Sequence, residues 1–313
     1  MSAFIPAAGA RQRVSIVLST FDGAAFLQAQ LDSFVAQDVV EWTLYWRDDG
    51  SADGTVGLME AFATGAGAGR CERVDRLGHM GVTSSYMTLL RFAAAREALP
   101  VAFSDQDDVW LPGKLARGLA QLGDEPGPAL YCSRQVLVDG ALQPVGESES
   151  ILVAPGLGPA LTQNIATGCT VILNPAAATL VAGSAPPSPS LHDWWSYLVV
   201  AAAGGRIIAD AEPTVLYRQH GGNAVGAPPS KRRRAMAALQ RGPGAFMKVL
   251  RAHVGALQEQ PALMDASARH TIEVVGRALA AGPVARLRAL LSCGLLRQTR
   301  AETWLFRCWF LIG

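Results

Sequence analysis

Asp105, Asp107 and Asp108 crowd three carboxylates into four residues, between the apolar run Pro100–Phe103 and Trp110-Leu111-Pro112. Carboxylates so close repel one another, and a folded chain must offset this with a cation, a set of donors or protonation. A hard divalent ion such as Mg2+ or Mn2+, bridging to substrate phosphates, is the usual partner of oxygen ligands. Taken alone, an Asp-x-Asp is also what a solvated acidic turn looks like. Its meaning depends on what else the chain brings to it.

Three other stretches carry chemistry. In His192-Asp193-Trp194-Trp195 a carboxylate stands near a helix start beside two indoles. Partial burial there would raise its pKa, suiting it to take a proton from a hydroxyl. An Asp in that position also serves as an ordinary helix cap. Tyr217-Arg218-Gln219-His220 offers an imidazole after a strand, either a metal ligand or a loop histidine bonded to backbone. Asp48-Asp49-Gly50-Ser51 is an acidic, glycine-containing loop, in which Asp48 suits a shaping role. Gly65-Ala66-Gly67-Ala68-Gly69 lacks the G-x-G-x-x-G spacing and follows a helix rather than a strand, so it reads as a turn.

The elements that must position these residues alternate. Val14–Leu18 is a nearly continuous apolar run, the pattern of a strand buried on both faces. A helix is expected from about residue 25 to 37, then a strand over 43–47 and a helix over 55–63. A third strand is expected near 72–75, a helix over 84–97, and the strand 101–103 that delivers the acidic cluster. Three strands thus end in polar loops: 19–22, 48–51 and 104–108. Strands alternating with helices imply right-handed crossovers and a parallel sheet. Ligands bind such sheets beyond the carboxyl ends of the strands, where these loops would meet. Further strands are expected at 129–133, 136–138, 142, 170–173, 206–209 and 214–217, with helices at 115–122, 175–182 and about 191–203. Residues 156–158 and 164–168 read as loops.

The 313 residues suit one large domain or one domain with an appendage. The formal charge of +1 hides an asymmetry: residues 1–230 hold 13 Lys/Arg against 22 Asp/Glu, and residues 231–313 hold 14 against 4. A basic tail of amphipathic segments, broken near Gly242-Pro243 and Gly282-Pro283, suits an anionic membrane surface, or packing on the catalytic domain or on a second subunit. It carries no recognised nucleic-acid module, and nucleic acid is not an expected partner. Five scattered cysteines without a Cys-x-x-Cys pair argue against a disulfide framework or structural zinc and fit a reducing cytoplasm. No signal peptide and no membrane span of about 18 apolar residues is expected.

Strand-Ser19-Thr20-Phe21, Asp48-Asp49-Gly50-Ser51, Asp105-Gln106-Asp107-Asp108, His192-Asp193-Trp194-Trp195 and Tyr217-Arg218-Gln219-His220 resemble, in order, the motifs of glycosyltransferase family 2. The form "SDQDDVWLPGKL…HDWW…YRQHGGNAVGA" looks most like its bacterial rhamnosyltransferase-like branch. The resemblance covers roughly 13–227 and implies a GT-A fold: a Rossmann-like α/β domain with a mixed, mostly parallel sheet, followed by a basic helical region, 228–313. It implies metal-dependent, inverting transfer of a sugar from a nucleotide diphosphate sugar to a saccharide or lipid-linked acceptor in surface polysaccharide synthesis. Ser19 and Phe21 match nucleobase-contacting positions, Asp49 the acceptor of a base N–H, and Asp105 the ribose-side Asp. Asp107 matches the metal ligand, with His220 where some relatives add a histidine; Asp193 matches the catalytic base. Trp194 and Trp195 are at least partly core, and one could stack on an acceptor sugar. Asp22 stands where many relatives carry Asn, and Arg76 where a basic residue could meet a phosphate. Rival readings are a nucleotidyltransferase, which needs no base at Asp193, and an inactive nucleotide-sugar-binding scaffold, which need not keep Asp49, Asp105, Asp107 and Asp193 together.

Overall fold

The computed structural model describes residues 11–74, 78–221 and 231–313, with backbone alone over 231–241. Arg76 and the expected boundary near 227/228 lie outside the described residues. The first half is a run of strand–helix units: β1 (Arg13–Thr20), α1 (Leu27–Val35), β2 (Glu41–Asp48), α2 (Thr55–Thr64), β3 (Cys71–Arg73), α3 (Val82–Arg96) and β4 (Val101–Ser104). β1 pairs in parallel with β2 and β4, and β2 with β3. Strict alternation in β1 divides the core. Ile16 and Leu18 face α1 and α2 with Leu31, Phe34 and Met59, while Val17 faces α3 with Leu89 and Leu90. Burial on both faces is why β1 reads as a continuous apolar run.

The second half comprises β5 (Val109–Trp110), α4 (Lys114–Leu122), β6 (Ala129–Val138), β7 (Pro144–Glu147), α5 (Leu157–Thr162), β8 (Ile172–Leu173), α6 (Pro175–Ala182), α7 (His192–Ala202) and β9 (Arg206–Arg218). The short antiparallel β8 joins β4 to β6, giving the order β3-β2-β1-β4-β8-β6-β9-β5 with β7 on β6. The long ladders, β1–β2 and β6–β9, are parallel. The sheet is therefore mixed and mostly parallel, as expected.

Three differences have local causes. β6 and β9 are each one strand where two were expected; both breaks fall at the register shifts around Ser133–Gln135, opposite Asp210–Pro213. Residues 168–170 wind into a 3-10 turn, leaving only Ile172–Leu173 as strand. Helix α5 falls in a segment whose Gly158 and Pro159 obscure any helical period.

Four helices close the chain: α8 (Lys231–Glu259), α9 (Ala266–Ala280), α10 (Pro283–Ser292) and α11 (Arg300–Ile312). α8 kinks at Gly242, whose φ of 68° is left-handed backbone that glycine adopts without a Cβ penalty, before Pro243. Leu250, Val254, Leu257, Ile272, Val275, Phe306 and Phe310 join the core that holds Val17, Phe103 and Trp195. The described tail is thus packed into the body. No described helix is long and apolar enough to cross a membrane.

Candidate active site

The three strand-end loops meet and are stitched together by side chains. Gln106, inside the acidic cluster, accepts from Phe21 N–H at 2.9 Å and donates to Phe21 C=O at 2.8 Å. Asp22 takes a φ of 45°, a left-handed conformation that Asp tolerates. It accepts from Ala52 N–H at 2.8 Å, and Ser51 Oγ accepts from Asp22 N–H at 2.9 Å. Asp48 accepts from Thr20 Oγ1, Gly50 N–H and Ser51 N–H, the loop-shaping role expected of it. A Cβ at Gly23 would land on Gln106 Oε1. Gly23→Ala is therefore expected to break the Gln106–Phe21 clamp and raise the nucleotide-sugar KM several-fold with the fold retained, about 1 kcal/mol for the lost bonding. Donor titration against circular dichroism checks it.

A cleft of about 590 Å³ opens over these loops. Ser19, Phe21, Asp49, His79, Asp105 and Asp107 line it, as do Arg134, Gln135, Glu149, Ser150, Gln163 and Gln298 and, from the start of α7 and its neighbour, Gly168, His192 and Asp193. Phe21 is exposed and lies 5.3 Å from the His79 ring, an aromatic pair suited to a flat base.

Asp49 lines the cleft, but its oxygens are already engaged. They accept from Arg47, Met80 N–H, Gly81 N–H and Ser85, with His79 Nδ1 at 2.9 Å. Burial would raise its pKa, but the Met80, Arg47, Gly81 and Ser85 bonds outweigh it and hold the carboxyl below its usual range. Asp49 thereby orders the segment entering α3, and a base N–H would have to displace one of these donors.

Asp107 lines the cleft, and its Oδ2 lies 2.8 Å from Nε2 of His220, both side chains being partly exposed. A carboxylate facing an imidazole fits a divalent cation of the Mg2+ or Mn2+ kind. Asp105, Asp108 and Cys169 form a second group, with ligand atoms within 4.8 Å of one another. Asp108 and Cys169 have no solvent access, however, and burial with the neighbouring carboxylates drives the thiol pKa well up, keeping it protonated. Asp108 instead accepts from Arg218 N–H at 3.0 Å, tying the acidic loop to β9. Of the two, the open Asp107–His220 pair is the better cation site.

Burial, then Asp107 and Asp193, push the Asp105 pKa up to about 7, against the Tyr86 hydroxyl, which donates to Oδ1 at 2.9 Å. Tyr86 also stacks on His192 with centroids 3.8 Å apart. Burial takes His192 down to about 3, so it is a neutral spacer. Tyr86 thus links Asp105 to the residue before Asp193. No sequence signal marked it beyond its place on α3.

Asp193 is the second residue of α7, where Trp194 N–H donates to Oδ1 and Gly168 N–H to Oδ2 at 3.0 Å. Burial raises its pKa to about 6 despite these donors. Each following residue turns about 100° around the helix, away from the cleft. Trp195 is wholly buried with Nε1 on Ser184 Oγ, and Trp194 is half-buried with Nε1 on Ala160 C=O and its ring on His253. Neither indole lines the cleft. The expectation of a stacking platform at Trp194 or Trp195 is corrected: both are packing residues.

The tail also reaches the site. Gln298, between α10 and α11, accepts from Leu152 and Val153 N–H at 2.7 and 3.1 Å and lines the cleft. His253 of α8 bonds Ser190 Oγ at 2.7 Å, three residues before Asp193.

A family model described as glycosyl transferase family 2 matches residues 15–164. The dTDP-rhamnosyl transferase RfbG of Shigella flexneri is 27% identical over 228 residues, 67% of this chain and 74% of that protein. The UDP-Glc:alpha-D-GlcNAc-diphosphoundecaprenol beta-1,3-glucosyltransferase WfgD of Escherichia coli is 25% identical over 164 residues, 51% of this chain and 60% of that one. Among solved structures, S. aureus TarS 1–349 in complex with UDP-GlcNAc superimposes with a TM-score of 0.55 at 15% identity, covering 96% of this chain and 90% of that one. That likeness speaks to the fold. The match over residues 15–164, the named relatives and this architecture agree: the chain is a glycosyltransferase of GT-A fold, and its first half is similar to glycosyl transferase family 2.

Proposed function

We propose that the protein transfers one sugar, with inversion and the help of a divalent cation, from a nucleotide diphosphate sugar to a hydroxyl of a saccharide or lipid-linked acceptor. The observation that carries this reading is one cleft lined both by Asp107, which lies 2.8 Å from His220 Nε2, and by a buried, weakly acidic Asp193. Ser19 and Phe21 hold the nucleobase, with Asp105 towards the ribose and Asp107 and His220 towards the diphosphate. Asp107 and His220 would hold a cation there, which would supply positive charge opposite the departing diphosphate. Asp193 takes the acceptor hydroxyl proton as the oxygen bonds to the anomeric carbon. The bond to the diphosphate breaks with its electron pair on the leaving oxygen. A single displacement of this kind inverts the anomeric centre.

Rhamnose as the sugar draws support from the dTDP-rhamnosyl transferase relative, and a lipid-linked acceptor from the relative acting on GlcNAc-diphosphoundecaprenol. Both fit surface polysaccharide synthesis at the cytoplasmic face of a membrane. A thermal-shift screen of dTDP-, UDP- and GDP-sugars with MnCl2 or EDTA tests the reading. Stabilisation by one nucleotide class, larger with Mn2+, is expected; no stabilisation by any would contradict it.

A further inference from the structure

Helices α10 and α11 form an antiparallel hairpin. Arg286, early in α10, donates to Phe310 and Leu311 C=O at the far end of α11, and residues 293–299 join the other ends. Each helix buries one side, through Ala289 and Leu290 in α10 and through Phe306 and Phe310 in α11. The outward sides are apolar as well. Val284, Leu287 and Leu291 are exposed on α10, Leu291 to 78%. Trp304, Cys308 and Ile312 are exposed on α11 at intervals of four, Trp304 to 66%. A helix packed on a domain ordinarily turns a polar face to water. Two successive helices with apolar outer stripes mark a surface that something covers.

Charge says what covers it. The hairpin exposes Arg288 and Arg300, with Arg307 half-buried beside Trp304, against a single acid, Glu302, which is occupied in the Thr299 capping box; Arg286 and Arg297 turn inward onto backbone carbonyls. A second copy docked face to face would set arginines against arginines. Anionic lipid headgroups would pair with them, while Trp304 and the leucines enter the boundary between headgroups and acyl chains. Position agrees. The hairpin's turn holds Gln298, which lines the cleft and accepts from the N–H of Leu152, itself exposed to 69%.

We propose that the α10–α11 hairpin docks the protein on an anionic bilayer and lays the Leu152–Gln298 end of the cleft against it. The proposal rests on the transfer reading above only for what the membrane delivers, a lipid-linked saccharide; docking itself is independent of turnover. The experiment is flotation of the 313-residue chain with vesicles of phosphatidylglycerol and phosphatidylethanolamine, and with phosphatidylcholine alone. Binding to the anionic vesicles that falls with added salt is expected. The exposed double variant Leu291→Ser/Trp304→Ser should lose at least about tenfold in partitioning, since it removes two apolar anchors. Arg288→Gln/Arg300→Gln should lose affinity on anionic vesicles alone. Thermal shift by UDP and dTDP, read on the same samples, reports the transfer reading separately and should not change in either variant. Three results overturn the proposal: no binding by the wild-type chain, unchanged binding by the Leu291→Ser/Trp304→Ser variant, or a dimer that this variant dissolves without any vesicle binding.

Discussion

Asp193→Asn is expected to lower turnover by about 10²- to 10⁴-fold, the usual contribution of a general base, with nucleotide binding intact. The donor contacts proposed above lie elsewhere, at Phe21, Asp105 and the Asp107–His220 pair, and Asp193 touches none of these residues through a hydrogen bond. Its own bonds go to Trp194 N–H and Gly168 N–H. The amide can satisfy only one of those two donors through oxygen, so a Tm lower by a few degrees, about 1 kcal/mol, should accompany the change. Folding and chemistry therefore need separate readouts. Nucleoside diphosphate release gives the second, at a protein concentration where circular dichroism shows the variant folded. Turnover unaffected by the substitution would instead favour nucleotidyl transfer, which needs no base at this position.

Asp107→Ala is expected to abolish Mn2+-dependent nucleotide binding, with a loss of more than about 100-fold, since even outer-shell changes cost metal sites 10- to 100-fold. Asp107 sits 2.8 Å from His220 Nε2 on the cleft wall, whereas Asp108, next in sequence, is buried against β9. Its removal would thus disable the proposed cation site without disturbing the loop's anchor. The Gln106–Phe21 clamp also survives, because it depends on the intervening side chain. The check is thermal shift with UDP or dTDP, in MnCl2 and in EDTA. The variant should respond alike in both media, matching the wild-type chain in EDTA; a full Mn2+ response would remove Asp107 from the cation site. His220→Ala should weaken the response less, because the carboxylate remains.

That the polar strand-end loops would meet was legible in the sequence, because alternating strands and helices bring the carboxyl ends of parallel strands together. The loops carrying Phe21, Asp49 and Asp107 do meet, and His220 does reach Asp107 across the sheet. What holds them was not legible. Tyr86 earns its position only through contacts with Asp105 and His192, and nothing in a helix sequence distinguishes it from a core tyrosine. Asp49 reads as an open carboxylate until the fold brings Arg47, Met80 and Gly81 to its oxygens. The two tryptophans look like a platform beside Asp193, yet helical rotation sends them into the core. Gln298 is 105 residues beyond Asp193 in a basic tail, and only tertiary packing places it in the cleft wall. A tail separated by charge alone looks detachable; its leucines and phenylalanines complete the core.

The pH dependence of nucleoside diphosphate release from a donor sugar, measured for the wild-type chain and Asp193→Asn side by side, tests the central claim most directly. Burial raises the Asp193 pKa to about 6, and the base must be deprotonated to accept a proton. Wild-type release should be level above pH 7 and fall about tenfold per unit below 6. The residual release of Asp193→Asn should lack that acid limb. An identical limb in both proteins would assign the ionisation to another group and contradict Asp193 as the base.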